Sequence, residues 1–146
     1  MIRIPRRVWA SSLSTLRECG GRNQRECVVF WLELTNKPGT IVAAVHPAHT
    51  ATVGHYEVDQ QWLHECWVQL RERHRSIAAQ VHIHAGRAFH SFSDDEGPVV
   101  HVPGFLSLVL PSFAMDDDCL EAAYLAELDA SGSFRQAAIA DTLAVI

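Results

Sequence analysis

The sequence predicts an α/β fold, a central sheet covered by helices. Two observations carry that prediction. Residues 27–32 and 105–110 are near-continuous apolar runs rich in strand-forming side chains, which suits strands buried on both faces. Between them, Leu63, Cys66, Trp67 and Leu70 fall at i, i+3, i+4 and i+7, the stripe of a helix laid against such a sheet. At 146 residues the chain has the length of one domain, 1–146, large enough to bury a core. Its 48% apolar and 20% charged content argues against disorder.

Taken in order, residues 2–8 read as a first strand that Pro5 confines to a sheet edge. Ser11 or Ser12 then caps a helix carrying Trp9, Leu13 and Leu16 on one face, ended by Gly20-Gly21. Residues 26–34 form a central strand with Glu26 at its mouth. Asn36-Lys37-Pro38-Gly39 turns the chain, and residues 40–45 pair back. Residues 46–55 form a loop with three histidines, His46, His49 and His55. A second metal site there lacks support, because no carboxylate or cysteine shares its spacing. Residues 59–74 make the clearest helix, capped by Asp59 and ending in basic residues as the helix dipole favours. Residues 76–81 are a strand and 93–100 a helical turn limited by Gly97-Pro98. Residues 104–111 form another buried strand. Residues 122–128 and 133–139 make a hairpin about Asp129-Ala130-Ser131-Gly132, and residues 141–146 a short helical tail. Asp116-Asp117-Asp118 is a solvated charge run, since no spaced ligand series follows it.

The chemistry gathers after the strand at 76–81. Alternate strand residues share a face, so His82 and His84 present two imidazoles with bases about 6–7 Å apart. Both can converge on one ion at bond lengths of about 2.0–2.1 Å. A carboxylate follows within one loop, at Asp94 or Asp95. Two histidines and one aspartate leave a fourth position for water, the pattern of a catalytic rather than a structural zinc site. Two hydrogen-bonded core histidines would give the same pair.

The residues that follow carry a resemblance. His82-Ile83-His84, six intervening residues and Ser91-Phe92-Ser93-Asp94 resemble the signature of the JAMM metalloproteases, the catalytic branch of the JAB/MPN family. Glu26 stands where that family has its upstream glutamate. Ala85 replaces the usual proline, and Ile83 the usual serine or threonine. The short loop with Gly86 is similar to bacterial members. The resemblance implies the JAB/MPN, cytidine-deaminase-like three-layer fold with a mixed central sheet. It implies Zn²⁺ on His82, His84 and Asp94, Glu26 as general base and Ser91 as donor to the oxyanion. Arg87 and His90 lie on the loop and are expected along the substrate groove. It further implies an isopeptidase or peptidase acting after the terminal glycine of a ubiquitin-like protein, working beside activating-type and conjugating-type enzymes, in some bacteria in antiviral defence.

Other classes fit less well. An inactive MPN scaffold that only binds a partner has no need of all five site residues. A cupin-like metal enzyme also uses His-x-His, but wants a glutamate soon after it and a chain that is nearly all strand. A zinc deaminase needs Pro-Cys-x-x-Cys, which is absent. The net charge of −5 gives no basic footprint, which sets nucleic acid aside. No apolar run reaches a membrane span, and no apolar signal region follows the basic start, so a cytoplasmic location is expected. Cys19, Cys27, Cys66 and Cys119 contain no Cys-x-x-Cys and are expected to be reduced and partly buried.

Overall fold

Valines, isoleucines and aromatics concentrated in short runs fold here into one large sheet. The computed structural model describes residues 1–146 apart from the side chain of Glu96. The strands are β1 (Ile2–Ile4), β2 (Val28–Leu34), β3 (Lys37–Val45), β4 (His49–Ala51), β5 (Tyr56–Val58), β6 (Arg75–Ile83), β7 (Leu106–Leu110), β8 (Tyr124–Leu128), β9 (Phe134–Gln136) and β10 (Leu143–Val145). The helices are α1 (Arg6–Leu16), α2 (Gln60–Glu72), α3 (Phe92–Glu96) and α4 (Ile139–Thr142), and a wider π turn over Arg17–Gly21 extends α1.

Eight strands form a mixed sheet in the order β10-β1-β3-β2-β6-β7-β8-β9, while β4 and β5 make a separate hairpin. β6 and β7 run parallel, and β2 is antiparallel to both of its neighbours. Alternation along β2 divides the core. Val29 and Trp31 face α1 and pack with Val8, Leu16, Val81 and Ile83. Val28, Phe30 and Leu32 face α2 and pack with Leu63, Leu70 and Ile77. A helix on each face thus covers the middle strands, and burial of a side chain such as Phe30 or Leu108 contributes about 1.5–3 kcal/mol each. The α/β expectation holds, and the two helices set the all-strand cupin reading aside.

Several local expectations are corrected. β1 stops at Ile4 and lies inside the sheet, between β3 and β10. Pro5, with φ −57° and no N–H to satisfy, stands at the N-cap of α1, so the helix starts at Arg6 and not at Ser11 or Ser12. Ser12 is instead buried mid-helix: its hydroxyl donates to Val8 O and accepts the Trp31 indole N–H at 2.9 Å. Trp67 is partly exposed, while Trp62 reaches the α2-side core instead. The histidine loop contains β4, which pairs with β5 just beyond the loop. The chain end is not only helical: β10 adds to β1 in parallel and closes the sheet. The expected Asp59 cap is present, its Oδ1 accepting Trp62 N–H at 2.8 Å. The turn at residues 129–132 does join β8 and β9.

Candidate metal centre

The register of two strands assembles the site. β2 and β6 are antiparallel, with Val28 opposite His82. Continued by two residues, that register sets Glu26 against His84. Ile83 N–H still donates to Cys27 O at 3.3 Å, which holds the pairing to that point. His84 N–H donates to Leu110 O at 3.0 Å, and its carbonyl accepts Phe113 N–H at 2.8 Å. Gly86 O accepts Ser112 N–H in turn. To make these bonds Ser112, Phe113 and Ala114 all take left-handed φ, 53–58°, a conformation costly for such residues and concentrated at functional sites. The loop that carries the second histidine is therefore fixed by backbone, not left free.

Asp94 arrives from the other side on α3. Ser91 caps that helix: its hydroxyl accepts Asp94 N–H at 3.1 Å, while Asp94 Oδ2 accepts Ser91 N–H at 2.9 Å. This reciprocal capping box aims the carboxylate at the imidazoles. Asp94 Oδ2 lies 3.2 Å from His82 Nε2 and 3.5 Å from His84 Nε2, and Glu26 Oε1 lies 3.3 Å from His84 Nε2. All four side chains are buried. Asp95 turns the opposite way, accepting from His90 Nδ1 at 2.6 Å. Asp94, not Asp95, thus faces the histidines.

The donor set fits a metal ion. His82 Nδ1, His82 Nε2 and His84 Nε2 are buried and make no hydrogen bond of good geometry. Buried polar atoms are rarely left so. Tetrahedral bonds of about 2.0–2.1 Å place neighbouring donors about 3.4 Å apart, close to the separations seen. Burial lowers the His82 pKa and favours the neutral imidazole that a metal requires, although Asp94 opposes it. Burial alone would raise Asp94, but contact with His82 and His84 and the Ser91 N–H outweigh it and hold the carboxylate ionised well below its ordinary range. Glu26 goes the other way: burial pushes it up to about 7, with His84 opposing and Asp94 adding. The two carboxyl groups are driven apart, Asp94 toward its charged form and Glu26 toward its neutral one.

A relative decides the family. The probable metalloprotease y4jG of Sinorhizobium fredii is 32% identical over 142 residues, covering 92% of this chain and 86% of that protein. The chain belongs to this metalloprotease family. No family profile matches the chain. Two solved structures share this chain's fold. A protein of Desulfitobacterium hafniense superposes with a TM-score of 0.70 at 10% identity, over 100% of this chain and 93% of the other. One of Salinibacter ruber gives 0.59 at 15% identity, over 94% and 89%. Family membership and the buried Glu26, His82 and His84 group together imply a metal-dependent peptidase. Among the described residues, no helix of the chain is long and apolar enough to cross a membrane.

The remaining predicted residues divide. Arg87 is exposed, with its guanidinium 4.9 Å over the Phe89 ring, which in turn packs edge-on against His84. His90 does not line an open groove. Its side chain is 4% exposed, and it ties Asp95 to the Ser107 hydroxyl beneath the loop. Tyr56 went unread in the sequence: its ring lies 5.2 Å from that of His82 and walls the site. The expectation of reduced cysteines is corrected for two of them: Cys19 and Cys27 are buried and pair as a disulfide. They also meet His46 and His49, so the histidine loop does have cysteine company.

Proposed function

We propose that the chain is a JAMM-type zinc metallopeptidase, one JAB/MPN domain over residues 1–146, which cuts the bond after the C-terminal glycine of a ubiquitin-like protein. The observation that carries this is the convergence of Glu26, His82, His84 and Asp94, with Ser91 capping the helix that presents Asp94. His82, His84 and Asp94 would hold the ion, for which zinc suits the nitrogen and oxygen donors. When bound, it supplies Lewis-acid polarisation of the scissile carbonyl and of water. Glu26, tuned by burial to about 7, takes a proton from the attacking water and returns it to the leaving amine nitrogen. The Ser91 hydroxyl accepts Asp94 N–H and lies 3.2 Å from the Ser93 hydroxyl; with Ser93 as donor of that pair, the Ser91 proton is left to donate to the oxyanion.

A groove beside Asp94 supports the substrate class. It runs between β5 and the stretch after α3, lined by Tyr56, Glu57, Val58, Asp94, Pro98 and Val99. β5 pairs only with β4 among the described residues, which leaves one strand edge free. A slender, extended glycine tail can add to such an edge and bring its last peptide bond beside Asp94. The reaction belongs in a bacterial ubiquitin-like conjugation pathway in the cytoplasm, alongside activating-type and conjugating-type enzymes.

The test offers the chain a ubiquitin-like protein extended past its final glycine by a peptide, and the same protein joined to a lysine side chain. Mass spectrometry should find a new glycine C-terminus from one or both, made about 10²–10⁴ times more slowly by Glu26→Gln. Cleavage of unstructured peptides that lack a glycine tail, with both conjugates left intact, would reject the substrate while leaving a peptidase.

A further inference from the structure

A second cluster sits on the other side of the sheet, and the proposed reaction does not use it. Cys19 comes from the π turn after α1, Cys27 from the mouth of β2, and His46 and His49 from the chain after β3. Their ligand atoms all lie within 4.8 Å of one another. Topology explains the meeting: β3 returns antiparallel to β2, so residues that follow β3 fall beside those that precede β2. The close approach of the π turn to β6 needs Gly20, whose missing Cβ would meet Ile83 and stand 2.8 Å from Arg25 O.

The geometry is that of paired donors. His46 Nε2 lies 3.4 Å from Cys27 Sγ, and His49 Nε2 lies 3.6 Å from Cys19 Sγ. Zinc–sulfur bonds of about 2.3 Å and zinc–nitrogen bonds of about 2.0–2.1 Å, at a tetrahedral angle, separate sulfur from nitrogen by about 3.5 Å. His49 Nδ1 lies 3.1 Å from Pro47 O, to which it donates. That bond fixes the tautomer that leaves the Nε2 lone pair turned inward, the outer-shell arrangement typical of ligating histidines.

Cys19 and Cys27 face each other as a disulfide pair, with Cα atoms 6.1 Å apart. A disulfide satisfies both sulfurs by itself and gives no reason for two imidazole nitrogens to face the same two atoms. We propose that reduced Cys19 and Cys27, with His46 and His49, form a second zinc site, closed and structural. Both thiols would give up their protons on binding. Four protein ligands leave no position for water, so this site does no chemistry. It fastens three segments around the catalytic base. Glu26 is next to Cys27 in sequence, and its N–H donates to Thr52 O beyond β4 at 2.8 Å. The same hairpin carries Tyr56 against His82.

The full chain, purified and kept under reductant, should carry two zinc ions. His82→Ala should lose one and His49→Ala the other. Cobalt exchanged into wild type should give a thiolate-to-cobalt charge-transfer band, retained in His82→Ala and lost in His49→Ala and Cys27→Ser, because the catalytic site has no sulfur ligand. The wild-type spectrum needs no variant to fold. A cobalt-loaded wild type without that band would overturn the proposal. So would zinc content unchanged by His49→Ala, or recovery of Cys19 and Cys27 as a disulfide from protein never exposed to oxidant.

Discussion

Glu26 and Cys27 are chain neighbours that face opposite sides of the sheet and join clusters of different character. Glu26 meets His82, His84 and Asp94 on the side of Tyr56. Its cluster uses hard oxygen and imidazole donors, is buried throughout, and borders a groove. Cys27 belongs with Cys19, His46 and His49 on the α1 side, where two of the donors are soft sulfurs and His46 reaches the surface. In the proposed reaction one cluster leaves a donor, Glu26, over for proton transfer, and in the proposed second site the other uses all four as ligands. Simple strand alternation turns one residue toward reaction and the next toward support.

The contrast can be tested at each cluster separately. The largest effect should come from Asp94→Asn against Asp95→Asn. The first removes the carboxylate that faces both imidazoles and should abolish both bound metal at that site and cleavage. The second takes only the charge from the bond to His90, so metal and activity should remain, with about 1 kcal/mol or less lost in denaturant unfolding. Equal metal loss from the two would mean that Asp95 turns inward.

A smaller effect is expected at Ser91, which caps α3 and, in the proposed reaction, also donates to the oxyanion. Ser91→Ala removes both the cap, about 1 kcal/mol, and the oxyanion donor, about 10²–10³ in kcat. Ser91→Gly restores most of the cap but not the donor. Measured kcat should therefore stay low in Ser91→Gly while thermal stability recovers. Recovery of kcat along with stability would make Ser91 a cap and nothing more.

The sequence disclosed what depends on local period. His82 and His84 follow from the alternation of a strand, and the choice of Asp94 over Asp95 follows from the Ser-x-x-Asp spacing that makes a capping box. Two buried apolar runs announced β2 and β7. What stayed hidden depends on which strands lie side by side. Nothing in the spacing of Cys19, Cys27, His46 and His49 announces a cluster, because the β2–β3 pairing creates it. Pro5 misled for a related reason. The same residue that bars a strand interior is well suited to start a helix, and only the tertiary fold shows that β10 comes to pair with β1.

The most direct test of the central claim is metal content and cleavage measured together for wild type, His82→Ala and Glu26→Gln. The account predicts that His82→Ala lacks one metal equivalent and cleaves nothing, while Glu26→Gln keeps the full metal content and still fails to cleave at more than about 1% of the wild-type rate. Full metal in His82→Ala, or wild-type cleavage by Glu26→Gln, would contradict it.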